Sequence, residues 1–540
     1  MARTSILGGE SSSRGAWGRV PKARAWALSI AGVTSAILVL ALQFNGLLVA
    51  LPIFAVAWLG TMGTENGTIL ARQLGKWRWR GRIRTGTTVY VPYDSDVWDE
   101  WMADAVAARG KERKAANRKL AAMRETPDGV EGMSWLEDRT GQPGIAWHRP
   151  LEQEAYLSVA FSTAGQIAGI EGDSFLDACA EAYGALLARN GERAALVGRI
   201  QTLTRVLPVD SARHERWVNN NRDSEAPAIV AESYQEVITG LRRGQLFQRH
   251  MFTVSWPITP LFINKAKRRG VGRDGWIRLM EDEIRNVASA FRTAKFRSVT
   301  VLSARQTAAV IRHMQHPSFP IDQVADVSAT SGWVPSEDKW SYTTFSAAAA
   351  GPNGPITKSL SRTARIEAKH VETSYRNSLW LVPMLTGMSK QIVRTLSFHL
   401  EVIPQAEARY LARQDVVSDL TESATDQQRG RLADEETTVS LSAAKRRRRD
   451  LNPGSGIHGV AWVGYVTVSA TDEPALIEAV DAIEDAASQA GINKLIWLDT
   501  YQAAAHATTW PVGRGLTPAR RQGYAQLESL IAGKGAKEQL

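Results

Sequence analysis

The sequence predicts an α+β protein: an amino-terminal two-helix transmembrane hairpin, then a mixed α/β cytoplasmic body and a carboxy-terminal β-α-β unit. Three observations predict this fold: a run of 40 uncharged residues, alternating strand-like and helix-like segments, and a strand–helix–strand pattern near the end of the 540 residues. The predicted segments are a tail, hairpin and basic juxtamembrane segment (1–85), a charged helical linker (86–132), a mixed α/β domain (133–404), a helical segment (405–450) and a small β-α-β unit with a flexible tail (451–540).

The uncharged run extends from Ala25 to Thr64 and is long enough for two membrane spans. One transmembrane helix needs about 20 apolar residues, and the polar sequence QFNG at 43–46 provides a turn between two such segments. We therefore predict spans at Trp26–Leu42 and Leu47–Gly60. Both are short.

Basic residues flank this run on both sides, and the turn between the predicted spans has no charge. The positive-inside rule therefore places both termini in the cytoplasm and the protein in the plasma membrane. Residues 1–125 hold 18 Lys and Arg against 9 Asp and Glu, so +9 of the net charge of +10 lies near the membrane segment. A cleaved signal peptide does not fit, because the apolar run is too long.

The stretch KWRWRGRIR, at 76–84, follows the second predicted span and alternates basic residues with mostly apolar ones. Tryptophan side chains favour the headgroup level of a membrane, where each Lys or Arg gains about 1 kcal/mol from anionic lipid. We therefore expect anionic lipid as a partner. A basic-aromatic strip for nucleic acid is the alternative, so direct nucleic-acid contact stays open. The predicted membrane-anchoring residues are Trp26, Trp58, Lys76, Trp77, Arg78, Trp79 and Arg80.

The body is predicted from segments that alternate between strand and helix periodicity. Ser303 and Gln306 form a capping box that begins one helix. The Gly/Pro turn within 133–149 predicts a hairpin. Further strands are predicted at 155–163, 195–207, 249–259, 297–304, 365–375 and 394–404, and helices around Cys179, at 226–241 and at 274–294.

The last unit has the clearest pattern. Residues 460–470 and 493–500 predict two strands, and Asp472 and Pro474 begin a helix between them that ends before Gly491. The predicted core face of that helix consists of Leu476, Val480, Ile483 and Ala487.

The stretch GPNGPITKS, at 351–359, looks like a phosphate-binding loop. The required glycine before the lysine is replaced by Thr357, and Pro352 and Pro355 remove two N–H donors. We therefore predict a surface turn here and no ATP site.

Other catalytic or cofactor motifs are not found in the sequence. His313 and His316 lack a third ligand nearby, so no metal site is predicted. The single cysteine, Cys179, lies at helical spacing among apolar residues, which indicates a core position. We expect no cofactor and predict that the chain is not an enzyme.

Four stretches resemble one family: LADEETTVSLSAAKRRRRDL, GYVTVSA, IEDAASQAGINKLIWL and YQAAAHATTWPVGRGL. They resemble actinobacterial membrane proteins encoded beside conjugation-type (type IV secretion) ATPases. Those proteins are similar to the non-motor amino-terminal domain of the large conjugative ATPase, fused behind a small two-span membrane subunit. The resemblance is strongest over 430–516.

The resemblance implies a non-catalytic scaffold that docks a separate ATPase and acts with other membrane subunits as an oligomer. In the family's ATPase, a segment similar to Gln502–Leu516 leads into the motor domain. In this sequence about 25 residues follow Gly515, so the motor is expected on a separate polypeptide. The implied partner-binding residues are Trp510, Pro511, Gly513 and Gly515.

Two alternatives stay open from the sequence. A core membrane subunit of an actinobacterial type VII secretion system also has a two-span hairpin before a large cytoplasmic domain. A membrane-bound enzyme such as a glycosyltransferase is the third hypothesis, but the sequence contains no acidic metal motif for it.

Overall fold

A computed structural model describes most of the chain in several stretches. The described residues are 5–7, 22–61, 63–64, 67–150, 154–208 without 168, 170 and 193, 217–242 without 219, 222, 224 and 226, 246–317, 332–348, 356–388, 391–403, 405, 408, 409, 450, 451 and 458–515. Nearly all of the predicted helical segment 405–450, the turn at 351–355 and the tail after 515 lie outside them.

These residues form both helices and strands, which confirms the predicted α+β class. The helices are α1 (Lys22–Gly60), α2 (Ile69–Thr85), α3 (Ser95–Ala107), α4 (Gly110–Ala122), α5 (Asp173–Arg189), α6 (Ala228–Arg242), α7 (Pro260–Lys267), α8 (Gly272–Thr293), α9 (Ala304–Gln315), α10 (Val382–Leu385), α11 (Glu473–Gln489) and α12 (Gln502–Ala507), with a 3-10 helix at Ala368–His370. The strands are β1 (Ser5–Leu7), β2 (Gly63–Thr64), β3 (Gly67–Thr68), β4 (Val89–Pro92), β5 (Met123–Arg124), β6 (Met133–Glu137), β7 (Ile145–His148), β8 (Tyr156–Thr163), β9 (Arg199–Pro208), β10 (Leu246–Pro257), β11 (Thr300–Val301), β12 (Ser336–Asp338), β13 (Thr343–Ala348), β14 (Ile356–Ile366), β15 (Ser374–Arg376), β16 (Val393–Ile403), β17 (Gly459–Ala470) and β18 (Ile496–Trp497).

Helix α1 contains the predicted membrane segment. Its part Ala27–Gly46 has 20 residues and a mean hydropathy of 2.0, and it is almost entirely unburied. Among the described residues, this is the one helix long and apolar enough to cross a membrane; Leu48–Gly60 is apolar but shorter. The backbone leaves the helical conformation at Gln43, with φ 49° and ψ −127°, within the predicted turn QFNG.

One mixed sheet of fourteen strands extends through the described part of the body. Twelve strands follow the order β5-β4-β12-β13-β14-β17-β16-β9-β10-β8-β7-β6, while β11 pairs with β8 and β18 with β14. The pair β4 and β5 is parallel. The long antiparallel pairs lie at the centre, with eleven residue pairs between β16 and β17.

The sheet curves strongly, so that its two end strands come near each other. Only nine positions separate Arg124 at the end of β5 from Met133 at the start of β6, and such a segment reaches about 30 Å at most. In a flat sheet, the eleven spacings between these strands would amount to roughly 50 Å. One hydrophobic cluster accordingly contains both Met133 of β6 and Phe345 of β13.

The two faces of the sheet differ in chemistry. The convex face is apolar and packs against α5, α7 and α8 in one cluster and against α11 in another. Helix α9 and residues 500–515 pack against the concave face. Because side chains alternate along a strand, the register places polar residues on this concave face, which we call the polar face: Gln201, Arg205, Thr363, Thr395, Ser397, His399, Tyr465 and Thr467.

Several predicted elements are confirmed with shifted ends. The hairpin over 133–149 forms β6 and β7. Both bonds of the capping box at Ser303 and Gln306 are present, at 3.3 and 2.9 Å. The strand predicted at 365–375 is wrong, because β14 ends at Ile366 and a 3-10 helix separates it from β15. The strand predicted at 297–304 contracts to the two residues of β11.

The predicted carboxy-terminal β-α-β unit is integrated into the large sheet. Strand β17, helix α11 and strand β18 follow in the predicted order, and the predicted core face of α11 is buried. However, β17 and β18 are not neighbours, since β14 lies between them and pairs with both. Strand β17 lies between β14 and β16, so segments 133–404 and 451–540 contribute to the same sheet. Linker 86–132 contains α3 and α4 and also supplies β4 and β5.

Candidate functional site at the junction of α2 with the body

Helix α2 connects the apolar segment to the body through one buried side chain, Arg82. The stretch KWRWRGRIR is helical and lies within α2, and Arg82 is 8% exposed although its neighbours in that stretch are mostly exposed. The guanidinium lies over the Tyr501 ring at 4.4 Å. Its Nη1 donates to Asp338 Oδ2 (2.9 Å) and to the carbonyl of Thr500, and its Nη2 donates to Asp128 Oδ2 (2.9 Å) and to the carbonyl of Thr87 (3.1 Å).

The carboxylates of this junction are held in a poorly solvated environment. Burial raises the pKa of Asp338 to about 6, against the opposing effect of Arg82. Burial also raises the pKa of Asp128, while Arg124 and Arg82 act to lower it. Asp338 Oδ1 additionally accepts a bond from the Ala503 N–H at 2.7 Å. The junction therefore joins α2, β12 and the start of α12 through charge-assisted bonds.

The predicted lipid-contacting residues of α2 divide into two groups. Lys76, Trp77, Arg78 and Arg80 are exposed, with Trp77 at 66%. Trp79 instead packs edge-on against Trp340 of the body, with ring centroids 6.0 Å apart.

The predicted anchors in α1 lie near its two ends. Trp58 is 45% exposed and stacks on Phe54. Trp26 lies in the first turns of α1, and its side chain is outside the described set.

Residues 500–515 run along the polar face and are held there by hydrogen bonds to side-chain and backbone groups of the sheet. The amide of Gln201 is the central contact: Nε2 donates to the carbonyl of Trp510 (2.9 Å), and Oε1 accepts from the Gly513 N–H (2.9 Å). Other bonds come from Thr363 N–H to Gln502 Oε1 (2.7 Å), from His399 Nε2 to the carbonyl of Thr508 (2.8 Å), from Tyr156 to the carbonyl of Val512 (3.3 Å) and from Tyr465 to the carbonyl of Gly515.

The predicted partner-binding residues Trp510, Pro511 and Gly513 are buried in this packing, and Gly515 is half-buried. Trp510 is 1% exposed, stacks on Trp333 at 5.9 Å and meets His506 edge-on at 5.5 Å. Pro511 is also buried. Trp510 is therefore inaccessible to a partner in this conformation.

The two predicted glycines permit close approach to this chain's own sheet. Gly513 has φ 71°, and a Cβ atom there would lie 2.5 Å from Ser255 Oγ. At Gly515 a Cβ atom would lie 2.6 Å from His399 Nε2. The absence of a Cβ atom at both positions, and the positive φ of Gly513, thus serve intramolecular packing.

The sequence reminiscent of a phosphate-binding loop continues as a strand. Lys358 and Ser359 belong to β14 and pair with Ser346 and Phe345 of β13. The preceding turn, 351–355, is outside the described residues.

The histidine pair of α9 and the cysteine of α5 occupy core positions. His313 and His316 are both buried, and His316 Nε2 lies 3.1 Å from the Thr357 carbonyl oxygen. In the described stretches, no group of three or more His, Cys, Asp or Glu side chains could hold a metal ion. Cys179 is 3% exposed, which confirms its predicted core position.

A cavity of about 200 Å³ lies between the end of α5, the loop at 190–197 and α8. Its floor is apolar, with Ile200, Val254 and Phe291, and Arg189 and Glu283 are among its charged lining residues. Sequence reasoning identified neither this cavity nor the role of Arg82. Arg82 is one of six basic residues in 72–84, and no local pattern separates it from the others.

Comparison with known proteins assigns no family. No protein-family model matches the chain, and a search of curated proteins finds no match.

Proposed function

We propose that this protein is a membrane-anchored, non-catalytic scaffold subunit of a conjugative type IV secretion-like translocation system, and that it docks a separate ATPase at the cytoplasmic face of the plasma membrane. The observation that carries the proposal is the Arg82 junction, where a basic helix next to the apolar segment ends in a buried ion pair with Asp338 and a partly buried one with Asp128. Such a junction holds a large body at a fixed distance from the membrane. The resemblance over 430–516 indicates the type of translocation system.

Two spans with a turn at QFNG are part of this proposal. They are supported by the Ser35 hydroxyl, which lies 3.4 Å from the Ala50 carbonyl, 15 residues away. In a continuous helix, that separation would be about 22 Å, so this contact supports two segments packed side by side. Gly46 is next to the Leu38 backbone, and a Cβ atom there would clash with it.

Two cytoplasmic termini are supported by strand pairing across the apolar segment. Strand β1 precedes α1 and pairs antiparallel with β15 of the body, which follows α1. This pairing supports an even number of spans, because it requires both ends of the apolar segment to be on the same side of the membrane. The basic flanks favour the cytoplasm as that side.

We place the ATPase contact where residues 500–515 leave the polar face. Arg514 reaches the carbonyl of Glu131 at 2.7 Å and lies over the Tyr156 ring at 6.0 Å, which fixes the path of the chain just before Gly515. In the family that the sequence resembles, the chain passes into the motor domain after this segment. A separate motor domain is expected to bind near Gly515, where the segment leaves the polar face.

Single-cysteine labelling of intact cells tests the membrane topology. In a Cys179→Ser background, a cysteine at Asn45 should react with an impermeant maleimide. A cysteine at Asp138, in the exposed turn after β6, should react only after permeabilisation. The two-span arrangement would be contradicted if the cysteine at position 138 reacted in intact cells. It would also be contradicted if the cysteine at position 45 stayed unreactive both before and after permeabilisation.

Co-purification tests the scaffold role. The tagged chain, extracted in detergent, should retain the conjugative ATPase encoded beside its gene, and it should hydrolyse no ATP by itself. Neighbouring genes for small secreted WxG-type proteins, with no conjugative ATPase retained, would instead favour the type VII alternative.

A further inference from the structure

Arg205 of β9 is a buried cation without a carboxylate partner in the described residues. The side chain is 2% exposed. Its Nη2 donates to the carbonyl of His313 at 3.0 Å, while Nε and Nη1 are buried without a hydrogen-bond partner. The residue directly opposite on β10 is a second arginine, Arg249.

Further polar nitrogens around Arg205 are also unpartnered. The Nδ1 atoms of His313 and His506 and the Nε1 atom of Trp510 are buried without hydrogen bonds. The Trp510 and His506 rings are in contact, and the charge of Arg205 acts on both histidines, lowering their pKa values after the larger effect of burial. These groups therefore form one cluster between the polar face, α9 and α12.

A role for Arg205 as a cap of α9 explains only part of this arrangement. His313 lies in the last turn of α9, and a cation beside a helix carboxy terminus is favourable. That interaction engages one of the three guanidinium nitrogens.

Arg394 shows a fully engaged buried arginine in the same sheet. Its Nε, Nη1 and Nη2 donate to the carbonyls of Met384 (2.7 Å), Ile392 (2.9 Å) and Leu385 (2.5 Å). An unpaired charge in a protein interior is strongly unfavourable unless an opposite charge or further hydrogen bonds compensate it.

We propose that the cluster around Arg205 is a binding site for a compact inorganic oxyanion of the size of phosphate. Such an anion supplies both the missing negative charge and acceptor atoms for the unpaired N–H donors of Arg205 and Trp510. Burial on all sides excludes a nucleotide or a lipid headgroup attached to its lipid. The anion stabilises the contact of α9 and residues 500–515 with the polar face.

Thermal unfolding of the full chain in detergent, with inorganic phosphate as the probe, tests this site. Phosphate is titrated against sodium chloride at matched ionic strength, with the wild type, Arg205→Met and the matched control Arg394→Met. In the wild type, the melting midpoint should rise by several degrees and saturate, as for a ligand that binds the folded state. Arg394→Met should melt at a lower temperature but keep the phosphate response.

Arg205→Met should lose the saturable response, and its midpoint without phosphate should equal or exceed that of the wild type, because an unpaired buried charge has been removed. A lower midpoint together with an unchanged phosphate response would show that Arg205 is only a helix cap, and would overturn the proposal. If Arg205→Met does not fold, the Arg205→Lys variant is measured instead. It should bind phosphate at least tenfold more weakly than the wild type, and an unchanged phosphate affinity would contradict the site.

Discussion

Arg82 links α2, the helix that follows the apolar segment, to the body through ion pairs with Asp128 and Asp338. Arg82→Met should destabilise the body by about 3–5 kcal/mol, because it leaves the buried Asp338 carboxylate without its partner. Thermal unfolding in detergent measures this. Arg84→Met is the matched control, since Arg84 is exposed on the same helix, and it should change stability by no more than about 0.5 kcal/mol. Equal effects of both variants would contradict the junction.

Trp510 is a core residue, and its substitution should reveal this. Trp510→Ala should cost about 3–5 kcal/mol through lost burial and a new cavity, and the melting midpoint should fall accordingly. Trp217→Ala, at a tryptophan that is 61% exposed, should leave the midpoint nearly unchanged. An unchanged midpoint for Trp510→Ala, with loss of ATPase co-purification, would restore the interface interpretation.

The hydrogen bonds of a residue could be predicted from the sequence where its partners are close along the chain. Ser303 and Gln306 are three positions apart, and their capping bonds follow from that spacing. Arg82 finds its partners at Asp128 and Asp338, 46 and 256 positions away. No local pattern encodes such contacts, and so a buried arginine looked the same as its exposed neighbours.

At the scale of elements, β14 decides the interpretation of GPNGPITKS. A phosphate-binding lysine precedes a helix whose first N–H groups contact the phosphates, but Lys358 lies in a strand that pairs with β13. We expect no ATP binding by calorimetry for the wild type, and Lys358→Ala should melt at the wild-type temperature because Lys358 is exposed. Micromolar ATP affinity that disappears in Lys358→Ala would contradict this reading.

Elements with their own boundary signals were predictable, and those defined by distant pairing were not. Helix α11 has Asp472 as its cap and Gly491 after its end, and both signals are local. Strand β14 was not predicted from its sequence, ITKSLSRTARI, because every second residue is polar. These polar residues are the ones that lie on the polar face. A polar strand face normally indicates solvent, whereas here α9 and residues 500–515 cover it.

At the scale of the whole molecule, the curved sheet encloses its own carboxy-terminal segment. Curvature and strand order depend on pairings such as β9 with β16, which are almost 200 residues apart. The sequence therefore predicted the fold class but not the curvature that brings the end strands of the sheet near each other. A buried polar face has one clear consequence. Histidines that lie on it or pack against it are held neutral at pH values where a solvated histidine would be charged.

Stability should therefore fall on mild acidification. Burial lowers the pKa of His399 to about 4 and that of His506 to about 3, and it lowers the pKa values of His148 and His313 well below their usual range. In the unfolded chain these groups titrate near pH 6.5. Between about pH 6.5 and 4, the unfolded state binds more protons than the folded state, so acidification favours unfolding.

Asp338 acts in the opposite direction. Its pKa of about 6 exceeds the usual value of 3.8, so the folded state takes up this proton first and gains stability as the pH falls from about 6 to 4. Burial also raises the pKa of Asp128, which therefore acts in the same direction as Asp338. These two carboxylates oppose the four histidines, and the net effect should be a melting midpoint that falls steadily from pH 7 to pH 4.5 in detergent. His399→Gln, which keeps a polar side chain next to the Thr508 carbonyl, should make the slope shallower. A midpoint that is constant or rises over this range would show that the polar face does not hold its histidines neutral.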